Sequence, residues 1–325
     1  MNKARTPSLL LLLGAASVAA VVALRLSQAR PSVQMHLARL YLRLRMKHPD
    51  LAALEQTYHT RSYPQAAPLP ASLRALCTVE ESQIQGCRVI HLTPLSASAG
   101  VHLLYLHGGS YVDELLRNHW ELIEALIKAT GARVTVPLYP LAPEHTSVAA
   151  FALLDEVYRT LLITTPAEQV VLCGDSAGGG LALAQAMRLR DAGRSQPGRI
   201  VLFAPWLDLT LSDPAIRAAE PHDLILRVDA LKLCGSWWAA DQDARQPALS
   251  PLYGDLQNLP PIDVFIGTDD LFIVDARSFH RRAHDAGADV RLHETPGGFH
   301  VFMVASVLPE SQEVYRQVAR ILGTS

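Results

Sequence analysis

Apolar and polar positions along this chain alternate between two kinds of segment from residue 87 to residue 322. Short, mostly apolar runs at Cys87–Leu92, Val101–Leu106, Arg133–Leu138, Val170–Cys173, Arg199–Phe203, Ile262–Ile266 and Val290–His293 predict buried strands. Between or after them, Trp120–Thr130, Val148–Ile163, Leu181–Arg190, Asp275–Ala286 and Pro309–Leu322 space their apolar residues as helices do. Such alternation predicts an α/β fold, with a mainly parallel central sheet and helices on both faces. The stretch Trp206–Pro261, rich in proline, breaks the pattern and reads as an irregular excursion over the sheet's C-terminal edge, where ligands bind in open α/β folds. Upstream, Gln34–Lys47 predicts an amphipathic helix with Leu37, Leu40, Tyr41 and Leu44 on one face and His36, Arg39, Arg43 and Lys47 on the other. Its apolar face is expected to lie on the protein body or on an anionic membrane surface.

Charge changes the picture at the N-terminus. Thr6–Leu24 is uncharged and apolar between Arg5 and Arg25, which predicts membrane association through residues 8–24. An anchor is favoured, and Ser27-Gln28-Ala29 offers the cleavage site of a signal peptide as the alternative. Eight basic residues precede the first acidic one, Asp50, so the positive-inside rule places the body in the cytoplasm, opposite to a secretory signal. The side of the membrane stays open. The chain totals 29 basic and 31 acidic residues, so everything beyond that basic leader is net acidic, which argues against a nucleic-acid partner. The four cysteines form no metal-ligand spacing, and no metal or organic cofactor is expected. Cys173 reads as a buried thiol, while Cys77 and Cys87 flank a potential hairpin and are a candidate disulfide.

The chemistry concentrates at Gly174-Asp175-Ser176-Ala177-Gly178, a G-x-S-x-G sequence between an apolar strand and a helix. There a serine hydroxyl is presented above the sheet, and it needs a base and an anion to orient that base. Asp270, in Gly267-Thr268-Asp269-Asp270, and His300, in Gly297-Gly298-Phe299-His300, both follow predicted strands and so share the edge that carries Ser176. His280, His284 and His293 fall within a helix or a strand and are weaker candidates; Asp269 reads as a turn residue and Asp275 as an N-cap. Gly108, Gly109 and Ser110, after the strand Val101–Leu106, together with Ala177, are candidate oxyanion-hole residues.

Taken together, His107-Gly108-Gly109-Ser110, Tyr139 to Glu144, Gly174 to Gly179, Gly267 to Asp270 and His300-Val301-Phe302 resemble the hormone-sensitive-lipase-like family of α/β-hydrolases over about residues 85–325. Ser110 stands where that family has a third glycine, and Pro140 where it has an arginine. The resemblance implies a serine hydrolase acting on small-molecule esters of short- to medium-chain acids, with lactones, amides or acetyl esters as alternative substrates, or a non-catalytic small-molecule binder on the same scaffold. It also implies a helical cap over the site. The domains would then be residues 1–30 as anchor or signal, 31–84 as cap helices and linker, and 85–325 as catalytic domain with a cap insertion at about 206–250. Tyr111, Trp206, Trp237 and Trp238 are the candidate substrate-pocket residues.

Overall fold

Strands in this protein carry β-branched and leucine side chains on both faces because both faces are covered: every residue of β3 (His102–Leu106), β5 (Val170–Asp175) and β7 (Ile262–Gly267) is buried. The computed structural model describes residues 30–46, 50–60, 65–96 and 100–324. With β1 (Cys77–Ile84), β2 (Cys87–Pro94), β4 (Arg133–Pro137), β6 (Arg199–Phe203) and β8 (Val290–Thr295), these form one eight-stranded sheet in the order β1-β2-β4-β3-β5-β6-β7-β8. β1 and β2 pair antiparallel, as do β2 and β4, and all pairings from β4 across to β8 are parallel.

The helices among the described residues are α1 (Val33–Arg45), α2 (Leu51–His59), α3 (Ala71–Leu76), α4 (Arg117–Thr130), α5 (Ser147–Leu161), α6 (Ser176–Asp191), α7 (Pro214–Ala219), α8 (Val228–Ala239), α9 (Ile273–Asp285) and α10 (Pro309–Ile321). The crossover from β3 to β4 runs one way along the sheet, whereas those from β4 to β5, β5 to β6 and β7 to β8 run the other. Right-handed crossovers therefore place α4 on one face and α5, α6 and α9 on the opposite one. α10 packs against α4, completing the first layer. The reversal of strand order beside β3 leaves a crevice at the carboxyl ends of β3 and β5, and the loop after β3 and the turn after β5 meet there.

Several expectations need correcting. A domain boundary at residue 84 would cut a hairpin, because β1 belongs to the sheet and pairs along its length with β2. Trp206–Pro261 is not wholly irregular. It holds α7, begun by Asp213 accepting from the Ala215 N–H with Pro214 at the first helical position, and α8, which buries Leu231, Cys234 and Trp238 at helical spacing. The hairpin register sets Cys77 opposite Pro94 and Cys87 opposite Ile84, at opposite ends of the ladder, and all four cysteines are free thiols. A disulfide between them is excluded by that distance.

The amphipathic helix α1 does not set its leucine face on the protein body, the first of the two expectations for it. Met35 is buried and Ala38, Arg39 and Leu42 face the body, while Leu37, Leu40 and Leu44 are exposed. Polar anchors set this orientation: Ser32 donates from N and Oγ to the Glu310 carboxylate, and Arg39 forms an ion pair with Asp269. Membrane association through residues 8–24 is likewise corrected. That segment lies outside the described residues, and among the described residues no helix is long and apolar enough to cross a membrane. The longest, α6, has 16 residues, whereas a span needs about 20.

Candidate active site

β5 ends at Asp175 and α6 begins at the next residue, so the chain turns from strand to helix without a loop. Ser176 pivots this turn at φ +51°, a left-handed conformation that costs a non-glycine residue about 1–3 kcal/mol. Neighbouring groups hold it there. The Trp206 N–H donates to the Ser176 carbonyl at 2.8 Å, and Gly178 lets α6 lie so close to β3 that a Cβ would meet the Leu106 carbonyl oxygen at 2.1 Å. Ser176 is 4% exposed, at the floor of a cavity of about 450 Å³.

Asp270 follows β7 and His300 follows β8, and backbone bonds between their two loops draw them together. The Asp269 N–H donates to the Gly298 carbonyl at 3.0 Å, Thr268 N–H to the Thr295 carbonyl at 3.0 Å, and Gly297 N–H to Thr268 Oγ1 at 2.8 Å. The result is a continuous relay: Ser176 Oγ lies 2.9 Å from His300 Nε2, and His300 Nδ1 lies 2.8 Å from Asp270 Oδ2. A carboxylate only accepts, so Nδ1 carries the proton and Nε2 is left to accept from the serine hydroxyl. Asp270 Oδ1 accepts the Phe272 N–H at 2.9 Å, which fixes the carboxylate's other oxygen. Burial opposes a charged His300, but the Asp270 carboxylate beside it, with Asp223 and Asp175 behind, raises its pKa above the ordinary value. Such an arrangement can deprotonate a serine as it attacks a carbonyl carbon and then hold the imidazolium.

The loop after β3 approaches Ser176 from the other side. Gly109 has φ +118°, a conformation closed to side chains, and its carbonyl accepts from the N–H groups of Val112 and Asp113 at 2.9 and 2.8 Å. Of the four candidate oxyanion residues, Gly108 is set apart: its N–H donates to Asp175 Oδ1 at 3.0 Å and is not free for a ligand. Gly109 and Ser110 line the cavity, and Ala177 sits in the first turn of α6, where N–H groups have no intrahelical acceptor. Sequence reading missed the residues that organise this loop. Asp175, 2% exposed, also accepts from the Tyr105 hydroxyl, and His119 Nε2 stands 3.4 Å from its second oxygen. The Leu116 N–H donates to His119 Nδ1 at 2.9 Å, which sets that ring's tautomer. Asp175 was visible as the variable position of G-x-S-x-G, but nothing in the spacing marks His119.

Three elements wall the cavity: Ala38, Tyr41 and Leu42 from α1, Ile225 and Leu226 from the insertion between α7 and α8, and Val301 and Val304 beyond His300. The aromatic candidates stand elsewhere. Tyr111, Trp206 and Trp238 are at most 1% exposed and stack on one another, Tyr111 against Trp238 at 4.3 Å and against Trp206 at 5.5 Å, with Phe272 next to Trp206 at 5.9 Å. Trp237 packs on Tyr58 and His59 of α2. None of the four lines the cavity, because large rings bury more area by stacking than by edging an opening. A concavity of about 540 Å³ between Arg30 and α10 is larger, but its histidine, His293, pairs with Asp263 and faces no nucleophile. Among the described residues no group of three or more His, Cys, Asp or Glu is placed to hold a metal ion.

Known proteins resemble this chain over the same region. A family model described as the alpha/beta hydrolase fold matches residues 103–304. An acetyl-hydrolase of Streptomyces hygroscopicus is 36% identical over 70% of this chain and 76% of its own length, and an esterase of Acinetobacter venetianus is 31% identical over 69% and 75%. Among solved structures, an esterase from the bacterial hormone-sensitive lipase family superposes with a TM-score of 0.76 at 27% identity, covering 90% of this chain and 97% of that one. EstE5, soaked with p-nitrophenyl butyrate, superposes with a TM-score of 0.77 at 25% identity, covering 90% and 98%.

Proposed function

The chain belongs to the alpha/beta-hydrolase-fold family, in its hormone-sensitive-lipase-like branch, and is a carboxylic ester hydrolase; within that class we propose that it cleaves short- to medium-chain acyl esters through Ser176, His300 and Asp270. The observation that carries the reading is the hydrogen-bonded relay from Ser176 Oγ through His300 to Asp270 at the floor of the cavity. Ser176 Oγ attacks the ester carbonyl while His300 Nε2 takes its proton. Collapse of the tetrahedral intermediate breaks the bond to the alcohol oxygen, which receives that proton, and leaves an acyl group on Ser176. Water, deprotonated by His300, then releases the acid. Asp270 keeps the imidazole in the required tautomer and stabilises its cation. The oxyanion is met by the N–H groups of Gly109, Ser110 and Ala177, and Gly108 serves that loop by binding Asp175.

Helix α1 and residues of about 206–250 act as cap segments in this reading, supported by the cavity walls from α1 and from Ile225 and Leu226. The cavity of about 450 Å³, walled by Leu42, Leu226 and Val301, supports a preference for small acyl groups. Hydrolysis of p-nitrophenyl acetate, butyrate and decanoate tests this. Turnover should decline from the short esters to decanoate, and Ser176→Ala should lose on the order of 10⁴-fold or more in kcat. Undiminished turnover by the variant would remove Ser176 as nucleophile, and faster decanoate cleavage would remove the short-acyl preference.

A further inference from the structure

Asp223 lies in the insertion between α7 and α8 and is 1% exposed. A carboxylate that deep needs hydrogen bonds on both oxygens, and here the donors are the backbone N–H groups of three residues. Oδ1 accepts from Ile225 and Leu226, each at 2.8 Å, and Oδ2 accepts from Leu271 at 2.9 Å. These donors belong to two separate parts of the site. Ile225 and Leu226 wall the cavity, whereas Leu271 directly follows Asp270. The Leu271 N–H is part of the peptide plane formed with the Asp270 carbonyl, so holding it fixes the backbone from which the Asp270 side chain projects.

We propose that Asp223 is a positioning residue that rivets the cavity wall at Ile225 and Leu226 to the turn carrying Asp270, so that the acid faces His300 only while the wall is in place. The proposal rests on the triad reading. A side chain joining the two by short backbone bonds leaves little room for either to move alone, and displacement of a reacting group by 1 Å costs about 100-fold in rate. Asp223 also sits in the field of the triad. The carboxylates facing His300 are Asp270, Asp223 and Asp175, with the neutral Ser176 hydroxyl at Nε2; His119, Asp113 and the Arg39–Asp269 pair stand on the surrounding elements. Asp223 helps to keep the imidazolium stable, so removing its charge lowers the pKa of His300.

The test uses the full chain with Asp223→Asn, Asp223→Glu and Ser176→Ala, p-nitrophenyl butyrate as substrate, and a fluorophosphonate carried to completion to count competent sites. Asp223→Asn turns an N–H₂ group toward a backbone N–H, and its kcat per labelled site should fall about 10- to 100-fold with KM within about threefold. Its acidic limb of activity should move to lower pH. Asp223→Glu keeps the charge and should keep that limb while kcat stays depressed. Wild-type kcat per site with an unmoved limb in Asp223→Asn, beside an inactive Ser176→Ala, would overturn the proposal and leave the triad standing. So would a loss wholly explained by fewer labelled sites. Activity persisting in Ser176→Ala would overturn the triad reading and this proposal together.

Discussion

The turn at Ser176 and the helix α1 lie on the same cavity, yet they are built on opposite principles. At the turn, backbone decides: Ser176 is held at φ +51°, Gly178 lets α6 touch the Leu106 carbonyl, and each residue from Val170 to Leu183 is buried. At α1, side chains decide. Its place is set by Arg39 on Asp269, by Ser32 on Glu310 and by the buried Met35, while three leucines stand in solvent. Geometry that must be kept to a fraction of an ångström sits on the rigid sheet, and the part that shapes access hangs from a few anchors. That difference predicts where substitutions hurt.

The largest effect is expected at the end of the rigid relay. Asp270→Asn leaves an acceptor for the Phe272 N–H on one oxygen but turns N–H₂ toward His300, so the imidazole adopts the tautomer whose proton faces Ser176 and can no longer act as base. kcat should fall on the order of 10⁴-fold. In the proposed mechanism His300 must be neutral to accept the proton, and the Asp270 carboxylate raises its pKa against the effect of burial, so activity should be lost on acidification at a pH above that at which an ordinary imidazole titrates. Any activity left in Asp270→Asn should have its midpoint lower. Turnover within tenfold of wild type would place the orienting carboxylate elsewhere, with Asp223 the first residue to examine.

What the sequence made legible follows the same division. Ser176, Asp270 and His300, which the structure brings within hydrogen-bond distance of one another, were legible as a group because each follows a segment that reads as a strand, and a parallel sheet brings such positions to one edge. The pairing partners of the aromatic residues could not, because stacking of Tyr111 between Trp206 and Trp238 joins three separate segments and leaves no local period. Helix α1 was read as a helix, but of the two surfaces offered for its leucine face the body is not the one it meets, since periodicity reports a face and not what the face meets. The partly buried ion pair of Arg39 with Asp269 and the Ser32 bonds to Glu310 hold the opposite face on the body. The Cys77–Cys87 hairpin was likewise real, and only the register excluded their bond.

An intermediate effect is expected from a single methyl group at the turn. In Gly178→Ala the new Cβ would lie 2.1 Å from the Leu106 carbonyl oxygen and 2.4 Å from that of His107, and both are backbone atoms that cannot swing aside. The strand leading into the loop of Gly109 and Ser110 must shift, at a cost of about 3 kcal/mol. For a chain of this size that lowers Tm by roughly 4–5 °C, measured by scanning calorimetry. Activity should fall with it, because Gly109 and Ser110 move with the strand. An unchanged Tm would mean that β3 and α6 are less tightly joined than the turn requires.

The smallest effect separates the two faces of α1. Leu37, Leu40 and Leu44 are 60%, 54% and 76% exposed, so replacing all three by glutamine removes little buried surface. Helix propensity barely changes, since leucine and glutamine rank together. Each substitution should change stability by no more than about 0.5 kcal/mol, and p-nitrophenyl acetate turnover should stay at the wild-type level. If the leucines instead packed on the body, as their periodicity suggests, truncations there would each cost about 2–5 kcal/mol. Met35→Ala is the internal control: it empties a fully buried position on the same helix and should fall in that larger range. A triple variant as unstable as Met35→Ala would show that α1 docks by its apolar face after all, and the anchoring role given to Arg39 would fall with it.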